Sequence, residues 1–187
     1  MITENKLQRR VAGHHNLRLD GVGDILTRAR DASVFDIGCS LGQVSHDFVL
    51  NGATKVHGCD IDPLCVHVAK HWFHNFRAVD SKFEVVDLRK GPSALDGFDK
   101  RYDIVVMLAT YHKLRRVMEE PLLFSLMENI AGRVEKYFVW RGTSEKAHEN
   151  EHEISLLDRN FGETLKRIHT SQLSLQLGAA AIWKRRV

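Results

Sequence analysis

Residues 33–42 read SVFDIGCSLG, and the pattern changes character within them. SVFDIG (33–38) is a short apolar run of the kind a buried strand uses. Two glycines with a serine between them follow, and from Gln43 to Leu50 the apolar spacing becomes helical. A strand that ends in a glycine loop and opens a helix brings backbone N–H groups and the positive end of the helix to one place. Such a place suits a nucleotide-type ligand at the carboxyl edge of a sheet. A plain strand-to-helix turn that happens to use glycine is the other reading of the same residues.

Outward from this stretch the alternation continues. VHGCDI (56–61), KFEVVDL (82–88), YDIVVMLA (102–109) and YFVWRG (137–142) read as further strands. The fourth is apolar throughout, as expected when both faces of a parallel sheet are covered. Between the strands, Pro63 to Phe73 and Glu119 to Ile130 carry helical spacing, the former with Pro at its first turn. Strand and helix in turn predict an α/β fold, an open parallel sheet with helices on both faces. The end of the chain departs from this. After a helix near His152 to Arg159, Thr164–Gln172 and Gly178–Arg186 are strand-like and close together, which predicts a C-terminal antiparallel hairpin. Arg18 to Ala29 is expected to be helical, with Leu17, Leu19, Val22, Ile25 and Leu26 as its packing face.

Composition bounds the possibilities. At 187 residues the chain is expected to be a single domain, with 1–30 as an N-terminal helical cap and 31–187 as the core. Hydrophobic residues at 43% and charged residues at 27% exclude a mainly disordered chain or a fibre. A formal charge of +3 is too mild to imply nucleic acid by itself. Cys39, Cys59 and Cys65 are an odd number with no CxxC pair, so neither a disulfide framework nor a cysteine zinc site is expected. The polar start is no signal peptide, and no run approaches the roughly 18 apolar residues of a membrane helix. A cytoplasmic location with no membrane partner is the expectation.

The loop excludes two familiar ligands. A dinucleotide fingerprint needs a second glycine where Ser40 stands, and a P-loop needs a Lys where Gln43 follows Gly42. The next strand ends in GCDID (58–62), and a carboxylate about 20 residues past the glycine loop can accept from both ribose hydroxyls. Asp60 is the candidate; Asp62, followed by Pro63, looks more like a helix cap. The third strand ends in Val86-Asp87-Leu88. Asp87 could accept from an adenine amino group while Leu88 packs on the ring, or it could be an exposed strand-end Asp.

Taken in order, DIGCSLGQ, GCDIDP, VVDL and FDKRYDIVVMLATYH resemble the class I S-adenosylmethionine-dependent methyltransferases, and the closing SLLDRNFGETLKRIHTSQ and LGAAAIWKRR look like that family's end. The resemblance runs from Val34 to Trp183, with Ser40 in place of the central glycine of the family's loop. It implies a Rossmann-like, seven-stranded, mostly parallel sheet whose last strand is inserted antiparallel, and S-adenosylmethionine as cofactor. It also implies Asp36, Gly38 and Gly42 near the methionine end, with Cys39 beside them. Asp60 and Ile61 would then lie at the ribose, and Asp87 and Leu88 at the adenine.

Methyl transfer from a sulfonium asks chiefly for alignment, and a hydroxyl acceptor also needs a base. The fourth strand leads into Thr110-Tyr111-His112, with no Asp/Asn-Pro-Pro-Tyr/Phe tetrapeptide of the kind used for exocyclic amines. His112 is the candidate base, or a loop His facing solvent; Tyr111 is a proton donor or a pocket wall. His67, His71 and His74 share a helix region, but a solvated or half-buried face is preferred there and no metal is expected. His14, His15, His148 and His152 could line an acceptor site or be surface polar residues. The basic clusters at 8–10, 113–116 and 184–186 could meet an acceptor phosphate or carboxylate, but solvated ends are preferred. The reading is oxygen methylation of a small or carbohydrate-like acceptor. An RNA acceptor comes next, and a non-catalytic S-adenosylmethionine-binding module is the alternative of another class.

Overall fold

The computed structural model describes residues 17–171 and 178–187. Five strands run parallel: β1 (Ser33–Ile37), β2 (Lys55–Asp60), β3 (Asp80–Val85), β4 (Tyr102–Leu108) and β5 (Val134–Arg141). β6 (Leu165–Thr170) and β7 (Ala180–Arg185) join them antiparallel, and among the described residues the sheet order is β3-β2-β1-β4-β5-β7-β6. The expected seven-stranded sheet with its antiparallel end is what the chain forms. The hairpin does not simply extend the edge: β7 slots between β5 and β6.

Side chains alternate between two cores, as a period of two requires. Phe35, Ile37, Val105, Met107, Phe138, Trp140 and Trp183 face one layer, which α4 (Glu120–Arg133) and α5 (Ala147–Phe161) cover through Leu126, Ile130, Leu157 and Phe161. Val34, Val56, Ile104, Val106 and Val139 face the other, covered by α1 (Gln43–Leu50), α2 (Pro63–Phe73) and the segment before β1. Each large apolar side chain buried here contributes about 1.5–3 kcal/mol. β1 has β2 on one side and β4 on the other, so the order reverses at β1 and a crevice opens beyond its carboxyl end.

Several boundaries differ from the sequence expectation. β3 stops at Val85, because Val86 donates its N–H to Asp60 O at 2.9 Å and Asp87 already turns into the next 3₁₀ segment. β5 begins at Val134, directly after α4, and polar, exposed Glu135 and Lys136 belong to the strand although no apolar run marks them. The segment at 18–29 is not one α-helix. Gly21 (φ 76°) breaks it into two 3₁₀ pieces, Leu17–Leu19 and Gly23–Arg28, while Leu19, Val22, Ile25 and Leu26 are buried as expected. His14, His15, the basic cluster at 8–10, the first part of the expected cap and Gln172 lie outside the described residues. No helix among the described residues is long and apolar enough to cross a membrane.

Candidate active site

The loop after β1 is built from backbone. Gly38 and Cys39 donate their N–H groups to Cys59 O at 2.8 and 2.9 Å, which stitches the ends of β1 and β2 together. Gly38 has φ 81°, and a side chain there would overlap the Thr110 hydroxyl at the end of β4. Ser40 takes φ 50° and Ala109 φ 57°, conformations that cost a non-glycine residue about 1–3 kcal/mol and gather at functional sites. Ser40 is held there by its N–H, which donates to Asp60 Oδ2 at 2.8 Å.

Around this loop lies a cleft of about 270 Å³. The structure brings Asp36, Gly38, Cys39, Asp60 and Ile61 together in its lining, as the sequence reading expected of one ligand site. Asp36 is 3% exposed and accepts from the Ser45 hydroxyl at 2.7 Å. Burial pushes its pKa up to about 6; the nearby Asp60 charge adds to the rise and the Ser45 bond opposes it. A cation beside Asp36 would favour its ionised form. Asp60 also accepts from Asp62 N at 3.0 Å through Oδ1. Both its oxygens thus brace the loop, yet a carboxylate has about four acceptor positions and two remain. Asp62 caps α2, accepting from Leu64 N at 2.9 Å. The Cys39 and Cys59 thiols are pushed up by burial, Cys59 to about 12, so both stay protonated and inert.

Other expected residues are placed elsewhere. Gly42 starts α1 with φ 76°, but a Cβ there would meet Ala69 and Phe73 of α2, at 3.2 Å each, and not the cleft. Asp87 takes two bonds from the Arg89 guanidinium, at 2.8 and 2.7 Å, which hold its carboxyl well below the usual range. Leu88 is buried in the core. Neither of them lines the cleft; the strand before them ends at Val85, three residues earlier than the run to Leu88 suggests.

Tyr111 and His112 begin α3 (Tyr111–Arg115), just past β4, and neither lines the cleft. Tyr111 is 2% exposed and borders a cavity between α3, α4 and α5; burial pushes its hydroxyl up to about 12. His112 borders a second cavity, under the β5–α5 connection. Its Nδ1 is buried without a hydrogen-bond partner among the described residues. Burial, and then the charges of Lys113, Arg116 and Arg18, lower its pKa below the ordinary 6.5 and keep the ring neutral.

The cleft also contains residues the sequence reading did not assign to it. Thr110 follows the apolar run directly, a signal of position but not of direction. Lys113 was read only as part of a basic cluster. Arg18 carries no local signal; its carbonyl is pinned by Arg141 Nε at 2.7 Å, across the sheet from β5. Among the described residues no group of His, Cys, Asp and Glu is arranged to hold a metal ion.

Comparison with known proteins agrees with this geometry. A family model described as a methyltransferase domain matches residues 34–128. Among curated proteins none matches the sequence. The magnesium protoporphyrin IX methyltransferase of Synechocystis, solved with bound S-adenosylmethionine, superposes with a TM-score of 0.65 at 18% identity, over 91% of this chain and 79% of that one. An N-methyltransferase of Bradyrhizobium japonicum gives 0.61 at 12% identity, over 87% and 93%. A ribosomal-protein methylase of Lactobacillus delbrueckii gives 0.61 at 15% identity, over 91% and 78%. At these identities the likeness is one of fold, and the three names span three unlike acceptors.

Proposed function

The chain belongs to the methyltransferase domain family, and from that premise we propose that it moves a methyl group from S-adenosylmethionine to an oxygen of a small hydroxylated or carbohydrate-like acceptor. The cleft's donor set fits this cofactor. Buried Asp36 suits a ligand with positive sulfur and ammonium groups, and the free positions of Asp60 suit two ribose hydroxyls. Ile61, 54% exposed at the rim, offers apolar surface to a purine. Asp87 is engaged by Arg89 in an exposed, solvent-screened pair and would have to share or exchange that partner to meet the adenine amino group. When bound, the cofactor supplies a methyl group activated by its positive sulfur.

The observation that carries the oxygen reading is neutral His112 in α3, outside the cleft lining but close enough to the cleft residues Arg18 and Lys113 for their charges to act on it. A hydroxyl needs a base to become a nucleophile, and only neutral imidazole can take its proton. Nδ1 is enclosed by the fold, so the proton passes to Nε2. Because burial and three cations lower its pKa, His112 stays competent below pH 6.5, and the acid limb of the rate falls in that lower range. His112→Ala should slow transfer of labelled methyl at least about tenfold, with the S-adenosylhomocysteine dissociation constant unchanged. A flat pH profile with full activity in the variant would assign the acceptor to a group that needs no base. Binding of S-adenosylhomocysteine with no transfer to any acceptor would make the chain a cofactor-binding module.

A further inference from the structure

α3 divides the space beyond β4 into three. With about 3.6 residues per turn, its neighbours in sequence point in different directions. Lys113 borders the cofactor cleft. His112 and Arg116, one turn apart, border the cavity of about 380 Å³ under the β5–α5 connection. Tyr111 and Arg115, also one turn apart, border the cavity of about 390 Å³ between α3, α4 and α5. Arg115 and His152 line both of these cavities, so the two adjoin along those side chains and together make a recess that extends from His112 to the space between α4 and α5.

The two ends of the recess differ in chemistry. The inner end has apolar walls from Met118, Leu123, Phe124 and Leu156. An ion pair at this end, Arg159 with Glu120 at 3.0 Å, is exposed and balanced. The outer end carries Arg115, Arg116, Glu149 and Glu153. Glu149 is neutralised by Lys146 at 3.1 Å and bonded by the Ser144 hydroxyl. Glu153, 8% exposed, is neutralised by Arg115 Nη1 at 3.3 Å. Arg116 is exposed and makes no ion pair among the described residues; Glu153 lies in its field but is bonded by Arg115, so Arg116 is the cation left to meet a ligand. Arg115 spends one of five guanidinium donors on Glu153. The field at His112 has the same sign: every charge that moves its titration is a cation.

We infer that the acceptor is a small amphiphilic anion, whose apolar body seats between α3, α4 and α5 and whose carboxylate or phosphate is held by Arg116 and Arg115 beside His112. The inference rests on the methyl-transfer reading and names the substrate class for it. Planar guanidinium forks suit both anions. Cavities of this size lie in the range of small-molecule sites, roughly 300–1,000 Å³, and their walls come from α3, α4, α5 and the β5–α5 connection instead of a flat basic face.

The test is calorimetric titration of the full chain, with and without saturating S-adenosylhomocysteine. The probes are 3-hydroxybenzoate, phenyl phosphate, phenol, acetate and a short single-stranded RNA. At least one aromatic anion should bind about ten- to a hundredfold more tightly than phenol or acetate, the range of charge-assisted hydrogen bonds. Arg116→Gln, at an exposed position that leaves no buried charge behind, should cut that preference to about threefold or less. Arg115→Gln would strand Glu153, so it is paired with Glu153→Gln to keep the fold. Phe124→Ala should weaken phenol and the aromatic anions alike, because it touches only the apolar body. Equal affinity for charged and uncharged probes overturns the inference, and so does a preference that survives Arg116→Gln and the Arg115→Gln/Glu153→Gln pair. RNA that displaces the aromatic anions more tightly than they bind also overturns it. A chain that binds the aromatic anions but not S-adenosylhomocysteine keeps the recess and loses the cofactor reading; the reverse result loses the recess alone.

Discussion

On the β2 side of β1, the carboxyl edge of the sheet is made of main chain and short side chains. Gly38 and Cys39 bond to Cys59 O, Ser40 N bonds to Asp60, and Ser45 holds Asp36. On the β4 side it is made of long side chains that reach in from α3, α4 and α5, joined by ion pairs such as Arg115–Glu153 and Arg159–Glu120. The first region has few ways to move, since each contact fixes a backbone conformation. The second can lose a contact and refill with water. A shared cofactor suits the first construction and a changeable acceptor the second, which accords with the unlike acceptors named among structures of this fold.

If that contrast is right, substitutions should hurt unequally. The largest effect is expected from Gly38→Val. A β-branched residue at φ 81° with Thr110 in the way should cost about 2–5 kcal/mol of stability and abolish S-adenosylhomocysteine binding. Denaturant unfolding and calorimetry measure the two losses; a variant as stable as the parent would show that the loop is not rigid.

Asp36→Asn sharpens the comparison through pH. The folded chain holds the Asp36 proton more tightly than the unfolded chain, because its pKa rises from 3.8 to about 6. Its contribution to stability is therefore complete below about pH 4 and is lost as pH rises through about 6. Asparagine has no charge to desolvate. The variant should gain on the parent between pH 4 and pH 7.5, by on the order of 3 kcal/mol. It should also lose the rise in affinity for the positively charged cofactor that the parent shows as Asp36 ionises. A stability difference that does not change with pH would mean that Asp36 is hydrated in the free chain.

The smallest effect is expected on the other side. Arg159→Gln removes an exposed pair with Glu120 and should cost less than about 1 kcal/mol, with S-adenosylhomocysteine affinity untouched. A larger loss would erase the distinction between the two regions.

The residues themselves were enough for whatever local chemistry decides. α1 and α2 run over the residues their spacing predicted, Gln43–Leu50 and Pro63–Phe73. The reason is punctuation: Gly42 opens one, and Asp62 with Pro63 opens the other. Strand identity followed from apolar runs; Gly38 and Asp60 were legible because strand ends sit on the edge that faces a ligand, while Asp36 came from the family resemblance. Strand order was not local; the family resemblance anticipated only the antiparallel insertion of the last strand, and the full order came from the fold. Tertiary structure alone decided where side chains point and what occupies them. Gly42 faces α2, Arg89 takes Asp87, and Arg141 pins the carbonyl of Arg18. α3 sends consecutive residues into three different spaces. No pattern along the chain encodes these, because each depends on groups brought together by packing, some of them from opposite ends of the sequence.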